Sequence, residues 1–185
     1  MIDLCCGLGG ASAAMRDRGW QVTTYDCMAD VKPDVLCDVR NLIRLPRGAD
    51  LIWASPPCAQ FTLHQLPYKS CVRKRQDPDL SVVNACRRLI DDSAPNFWVI
   101  ENVMASRRWL TPILGPVAAR TSGHVFWGKL PGLLPDAHSA KGEITRRTHA
   151  NRKSHLLKSV IPYEISLAIA LAVERRLADE SAAQP

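Results

Sequence analysis

The stretch Ala54-Ser55-Pro56-Pro57-Cys58-Ala59-Gln60-Phe61-Thr62 holds a cysteine in a setting suited to covalent chemistry. It follows Leu51-Ile52-Trp53, a short apolar run with strand character, and leads into a polar, proline-bearing segment that reads as a loop. A Pro-Pro pair directly after a strand forces the backbone out of the sheet in a stiff, extended form. The next residue is then held at the carboxyl edge of the strand, where open α/β sheets bind their ligands. A thiolate fixed there can act as a nucleophile. The competing reading is a small hydrophobe at a strand end. A second polar pair, Glu101-Asn102, closes the strand-like run Phe97-Trp98-Val99-Ile100. A helix between the two runs makes their strands parallel and adjacent, which sets Cys58 and Glu101 on one rim of the sheet.

The elements that must carry these groups are legible upstream. Met1 to Cys6 reads as a buried strand, followed by Gly7-Leu8-Gly9-Gly10 and a helix from Ala11 to Arg18 with Ser12 as N-cap. Gly19 ends that helix, and Gln21 to Tyr25 alternates like a second strand ending at Asp26, 16 positions after Gly10. Strand, glycine turn, helix, strand and acid together signal a nucleoside-bearing cofactor. The glycines let the backbone approach the ligand, and the acid meets a ribose hydroxyl pair. A third strand, Val35 to Cys37, ends at Asp38, and a fourth runs from Asp50 to Ala54. A loop from Ser55 to Arg75 precedes a helix capped by Asp77, with Pro78 in its first turn and Leu80, Val83, Cys86, Leu89 and Ile90 on one face. A hairpin is expected from Val117–Arg120 and His124–Trp127 around Ser122-Gly123, and Pro162 opens a last helix with Ile165, Ile169, Ala172 and Leu177 facing the core. The expected fold is α/β, a mostly parallel sheet with helices on both faces and the last helix returning to it.

At 185 residues the chain reads as one catalytic domain over 1–130, a basic loop over 131–157, and a closing segment over 158–185. Hydrophobic content is 46%, with no apolar run near the ~20 residues a membrane span needs. No secretion signal is visible at the start, and the seven cysteines show no zinc spacing. The odd count without a secretion signal predicts reduced thiols in a cytoplasm, and the lack of a long apolar run predicts no membrane partner. The net charge of +6 is localised: six Lys/Arg face one acid, Glu143, between His138 and Lys158. Lys69, Arg73, Lys74 and Arg75 form a second cluster. Such clusters are the footprint of a phosphate backbone.

Asp-Leu-x-x-Gly-x-Gly-Gly at 3–10, Pro-Pro-Cys-x-x-Phe-Thr at 56–62 and Glu-Asn-Val at 101–103 resemble, in order and spacing, the motifs of cytosine-5 DNA methyltransferases, which a tRNA-acting branch shares. Val160-Ile161-Pro162 and the helix after it look like that family's last segment. The resemblance implies a Rossmann-like class I methyltransferase fold, S-adenosylmethionine as cofactor, and no metal. It implies that Cys58 adds to carbon-6 of cytosine while Glu101 binds the Watson–Crick edge. By the same resemblance the cofactor meets Asp3, Leu4, Cys5, Gly7, Gly9 and Gly10, then Asp26, Cys27, Asp38 and Val39, and finally Pro56, Ser159 and Val160. The base meets Pro57, Gln60, Asn102, Arg120 and His124. The chain also departs from the pattern. Cys5 stands where a phenylalanine packs on the adenine, Ser159 where an asparagine precedes the final helix, and Ser122 and His124 where arginines belong. His124 or Arg120 is the candidate replacement for the arginine that contacts the cytosine carbonyl.

The resulting expectation is a minimal enzyme, of a size suited to a phage or prophage genome, that methylates cytosine in DNA. It uses double-stranded DNA with little sequence preference, or with a protein partner supplying specificity, because only the basic loop stands where a large recognition domain belongs. RNA as substrate, a modified cofactor, and a non-catalytic nucleic-acid-binding subunit are the alternatives.

Overall fold

The computed structural model describes residues 1–63, 77–121, 123–131 and 160–183. In chain order these form β1 (Ile2–Leu4), α1 (Ala13–Asp17), β2 (Thr23–Asp26), β3 (Val35–Leu36), β4 (Leu51–Ala54), α2 (Ala59–Leu63) and α3 (Ser81–Ser93). Then come β5 (Phe97–Val103), α4 (Arg107–Leu114), β6 (Ala119–Arg120), β7 (His124–Lys129) and α5 (Tyr163–Ala182). The strands make one sheet in the order β3-β2-β1-β4-β5-β7-β6. Strands β1 to β5 are mutually parallel, and β7 runs antiparallel to both β5 and β6. This is the mostly parallel, Rossmann-like α/β fold expected from the sequence.

Side-chain alternation divides the core between two faces. Leu51, Trp53, Val99 and Phe126 meet Met15 of α1 and Ile165, Ile169 and Val173 of α5. Ile52, Ala54, Ile100 and Trp127 meet Cys86, Leu89 and Ile90 of α3 and Leu110 of α4. With helices on both faces, β1, β4 and β5 are buried on either side, which is why they read as continuous apolar runs.

Helix α5 closes the fold against α1. The fully buried Ser166 hydroxyl donates to the Ala11 carbonyl at 2.7 Å and accepts the Ala14 N–H at 3.2 Å. Glu174 accepts from the Arg18 guanidinium and from the Trp20 indole N–H at 2.8 Å. The same approach dictates Gly10, where a Cβ would lie 2.6 Å from the Ile161 carbonyl oxygen.

Four elements differ from the sequence expectations. Ala59–Leu63, expected within a loop from Ser55 to Arg75, form the short helix α2, in whose first turn the Cys58 carbonyl accepts the Phe61 N–H at 3.0 Å. Helix α3 begins at Ser81, not at Asp77-Pro78, because Asp79 captures the Ser81 N–H at 2.8 Å and holds the residues before it outside the helix. Helix α4 was not anticipated, since it contains Pro112, which removes a helical donor. Strand β5 runs on through Glu101 and Asn102 to Val103, because β7 pairs with it along that whole length. The hairpin of β6 and β7 and the final helix follow expectation, although Ala170 and Val173 bury more deeply than Ala172. Cys71, the basic cluster 69–75, Ser122, the 132–157 part of the basic loop and Ser159 lie outside the described residues. No described helix is long and apolar enough to cross a membrane.

Replacing Ser166 by Ala strands a buried donor and acceptor of α1, at a cost of about 1–3 kcal/mol. Urea unfolding should show a lower midpoint at unchanged slope. An unmoved midpoint would mean that α1 and α5 hold together without this contact.

Candidate active site

Two clusters of polar side chains form along the carboxyl edge of the parallel strands. The first surrounds the turn after β1. Cys5 leaves the strand in the left-handed region at φ 57°, where non-glycine residues are uncommon and cluster at functional sites. Gly7 follows at φ 51°, and its N–H donates to Asp26 Oδ2 at 3.0 Å, tying the turn to the end of β2. Asp26 Oδ1 accepts the Met28 N–H at 2.9 Å. A Cβ on Gly7 would meet nothing within 4 Å, so space opens above the turn, flanked by the half-exposed Leu8.

Asp3 lies beneath this turn. It is completely buried, and neither carboxylate oxygen has a hydrogen-bond partner among the described residues. Burial, first of all, pushes its carboxyl up to about 7. The nearby Ser12 hydroxyl, which donates to the Gly9 carbonyl at 3.4 Å, and the Arg16 guanidinium offset only part of that, and the Asp26 charge adds to it. An unpaired buried acid under an open turn fits a cationic group of a ligand. The neighbouring thiols are poor nucleophiles: the Cys86 thiol and burial raise Cys5, while burial and the charges of Asp3 and Asp26 push Cys6 up to about 12.

Other residues expected at this end have partners of their own. Asp38 receives the Arg40 backbone N–H at 2.9 Å and its guanidinium at 3.0 Å, which holds the carboxyl below the usual range. Leu4 and Val39 are core residues, Cys27 is exposed, and Val160 packs against Gly10.

The second cluster joins β4, β5 and β7. The Cys58 carbonyl accepts the Phe61 and Thr62 N–H groups at 3.0 and 3.3 Å, so Cys58 sits at the start of α2. The Ser55 N–H donates to the Leu4 carbonyl at 3.0 Å, and Asn102 Nδ2 donates to the Pro56 carbonyl at 2.9 Å. These two bonds fix the Pro-Pro bend between β1 and β5. Burial, and then the Glu101 carboxylate, push the Cys58 thiol up. The two groups expected on one rim are thus in electrostatic contact. Glu101 is itself buried, and its Oε1 lies 2.7 Å from His124 Nδ1.

Of the expected base-binding residues, Pro57 is exposed and Gln60 accepts the Asp79 N–H, bracing the start of α3. Arg120 is exposed on β6 opposite Val125, which pairs with Asn102 and so sets Arg120 level with the site. The sequence reading set His124 against a base and missed its pairing with Glu101. The available signal was the parity of His124 with Phe126 and of Glu101 with Val99, which puts both on one face of the β5–β7 pair.

No protein-family model and no curated protein matches the chain. Among solved structures it is similar to a candidate DNA modification methyltransferase encoded within an E. coli prophage, at 19% identity and a TM-score of 0.42, over 69% of this chain and 45% of that one. It is also similar to an S-adenosylmethionine-dependent methyltransferase from Clostridium acetobutylicum, at 15% identity and a TM-score of 0.38, over 62% of this chain and 46% of that one. The chain therefore spans less than half the length of either.

Two outcomes follow from the electrostatics. Glu101→Gln removes the charge that disfavours the Cys58 thiolate, so iodoacetamide should label Cys58 faster at pH 8 than in the unaltered protein, read from the Cys58 peptide by mass spectrometry. Equal rates would separate the two groups. For Asp3, the folded carboxyl titrates at about 7 against an ordinary 3.8. Its burial costs nothing while both folded and unfolded forms hold the proton, and the cost accumulates as pH rises from about 4 to 7, reaching on the order of 4 kcal/mol. Asp3→Asn should therefore raise the melting temperature at pH 8 and flatten its decline between pH 5 and 8. A steeper decline in the variant would refute the assignment.

Proposed function

We propose that this protein transfers a methyl group from S-adenosylmethionine to carbon-5 of cytosine in DNA, through a covalent adduct between Cys58 and carbon-6. The observation that carries the proposal is the coupling of Cys58 to Glu101 across adjacent parallel strand ends, with Asn102 clamping the bend between them. The cofactor assignment is supported by the unpaired Asp3, suited to the ammonium group of the methionine moiety, and by the open glycine turn tied to Asp26, whose remaining lone pairs suit ribose hydroxyls.

Carbon-5 of cytosine is a poor nucleophile because the ring is aromatic and electron-deficient. When the Cys58 thiolate bonds to carbon-6, the π pair of the carbon-5 to carbon-6 bond shifts toward carbon-5, which becomes enamine-like. Glu101 holds the exocyclic amino group and stabilises the protonated ring nitrogen, so the charge developed on addition has a partner. S-adenosylmethionine, when bound, supplies an electrophilic methyl group on a sulfonium centre. Once carbon-5 carries the methyl group, its proton passes to solvent water, the C–H pair re-forms the carbon-5 to carbon-6 double bond, and the C–S pair leaves with Cys58 as thiolate, restoring the ring.

In the chain without substrate Cys58 is held as a thiol, so activation must accompany substrate binding. A base paired to Glu101 relieves the negative charge that opposes the thiolate. The exposed guanidiniums of Arg107, Arg108 and Arg120 lie near the ends of β5 and β6 and suit the phosphates of a polynucleotide whose base has left the stack.

Cys58→Ser should abolish transfer from tritiated cofactor and the denaturant-stable adduct with 5-fluorocytosine DNA, while leaving DNA binding in place. A serine hydroxyl is nearly isosteric with the thiol but stays protonated. Either signal surviving in the variant would remove Cys58 from the role of nucleophile. An adduct on fluorocytosine RNA with none on DNA would reassign the substrate.

A further inference from the structure

We infer that His124 is the positioning residue for Glu101, an inference resting on the role just proposed for that carboxylate. Glu101 is only 7% exposed, and on β5 it sits opposite Phe126, while His124 pairs with Val103. The two side chains are therefore diagonal neighbours on one face of the β5–β7 pair, and Nδ1 and Oε1 approach to 2.7 Å. The imidazole is held on other sides as well. Its ring lies against Phe126 at 6.3 Å between centroids, and the hairpin turn fixes its backbone through the Thr121 N–H to the His124 carbonyl at 2.8 Å and the His124 N–H to Thr121 Oγ1 at 3.1 Å.

An ionised carboxylate only accepts, so Nδ1 carries the hydrogen in this pair. Oε1 then gives one lone pair to His124, which leaves its other lone pair and those of Oε2 for the amino group and ring nitrogen of a base. His124 thus converts a swivelling carboxylate into one of fixed orientation at the end of β5. Cys58 is the titratable group that faces this pair from the end of β4, where the Glu101 carboxylate adds to burial in pushing its thiol up. Arg120 lies two strands from Glu101 and is exposed, with no hydrogen bond to either member of the pair.

Two substitutions separate positioning from packing. His124→Phe keeps a ring against Phe126 and loses the donor, whereas His124→Asn keeps an N–H near the position of Nδ1 and loses the ring. Positioning predicts that the Phe variant loses about 100-fold in kcat for methyl transfer at a nearly constant KM for the polynucleotide, while the Asn variant stays within about 10-fold. The reverse order, Phe active and Asn inactive, would make His124 a packing residue and overturn the inference.

A second readout needs neither substrate nor folded His124 variants. Nitrogen-15 spectra of histidine-labelled protein should show His124 as the Nδ1–H tautomer, reverting in Glu101→Ala to the Nε2–H form that free imidazole prefers. An Nε2–H ring in the unaltered protein would overturn the pairing whatever the enzyme methylates. A glutamate-dependent Nδ1–H ring in a protein that transfers no methyl group would instead uphold the pairing and defeat the function proposed above.

Discussion

One buried hydrogen bond, from Asn102 Nδ2 to the Pro56 carbonyl, fastens to the sheet the Pro-Pro bend that leads to Cys58. Neither proline of the bend can donate, so this loop cannot secure itself by backbone N–H groups of its own at that point. A buried carbonyl left without a donor is unfavourable, and Asn102 supplies one from the neighbouring strand end. The bond also sets register: Asn102 follows Glu101 directly, so the residue that clamps the bend is one position from the acid that faces the thiol. The β4–β5 pairing from Leu51–Phe97 to Ala54–Ile100 holds the strands that carry both.

Around that clamp the site concentrates groups that do not stabilise the fold. A carboxyl is buried without a hydrogen-bond partner among the described residues, a thiol is held protonated beside a carboxylate, and a cysteine occupies the left-handed region. The buried carboxyl and the left-handed cysteine oppose folding, and all three lie in or just beyond strands packed on both faces, with Leu51, Ile52, Trp53, Val99 and Ile100 in the core. The central strands supply the stability, and their ends carry the strain, which is where binding sites place it.

How much of this was legible depended on whether the signal was local. The strand, glycine turn and acid from Met1 to Asp26 could be read because each residue type answers a backbone requirement at its own position. The adjacency of β4 and β5 followed from the tendency of consecutive strands joined by a helix to lie side by side, which needs no coordinates. The start of α3 was misplaced because Asp77 and Asp79 both resemble caps; Asp79 is the one that captures the Ser81 N–H, and Gln60, from a distant segment, accepts the Asp79 N–H and braces it there. Helix α4 was hidden by Pro112, whose helix penalty is outweighed by burial of Leu110 and Leu114. The partner of His124 was legible only in part: parity puts His124 and Glu101 on one face, but the β5–β7 register that makes them diagonal neighbours is a property of the folded sheet. By contrast, the Arg40 contact with Asp38 spans two residues and was open to a local reading that stressed a ligand instead.

The clasp between α1 and α5 also sets a timetable. Ser166 and Glu174 reach back across more than 150 residues to Ala11, Ala14, Arg18 and Trp20, and Ile161 seals the back of the glycine turn at Gly10. Contacts of such sequence separation form slowly, because a long loop must close before they are rewarded. On a ribosome, the Rossmann half can be synthesised and paired as strands long before residues 160–174 emerge. Until then the turn beside Asp3 has no backing and the face of α1 stays wet. A nascent chain therefore gains its sheet early and the backing of its glycine turn last, so a stalled or truncated product would hold Cys58 and Glu101 while the turn beside Asp3 stayed open on both sides.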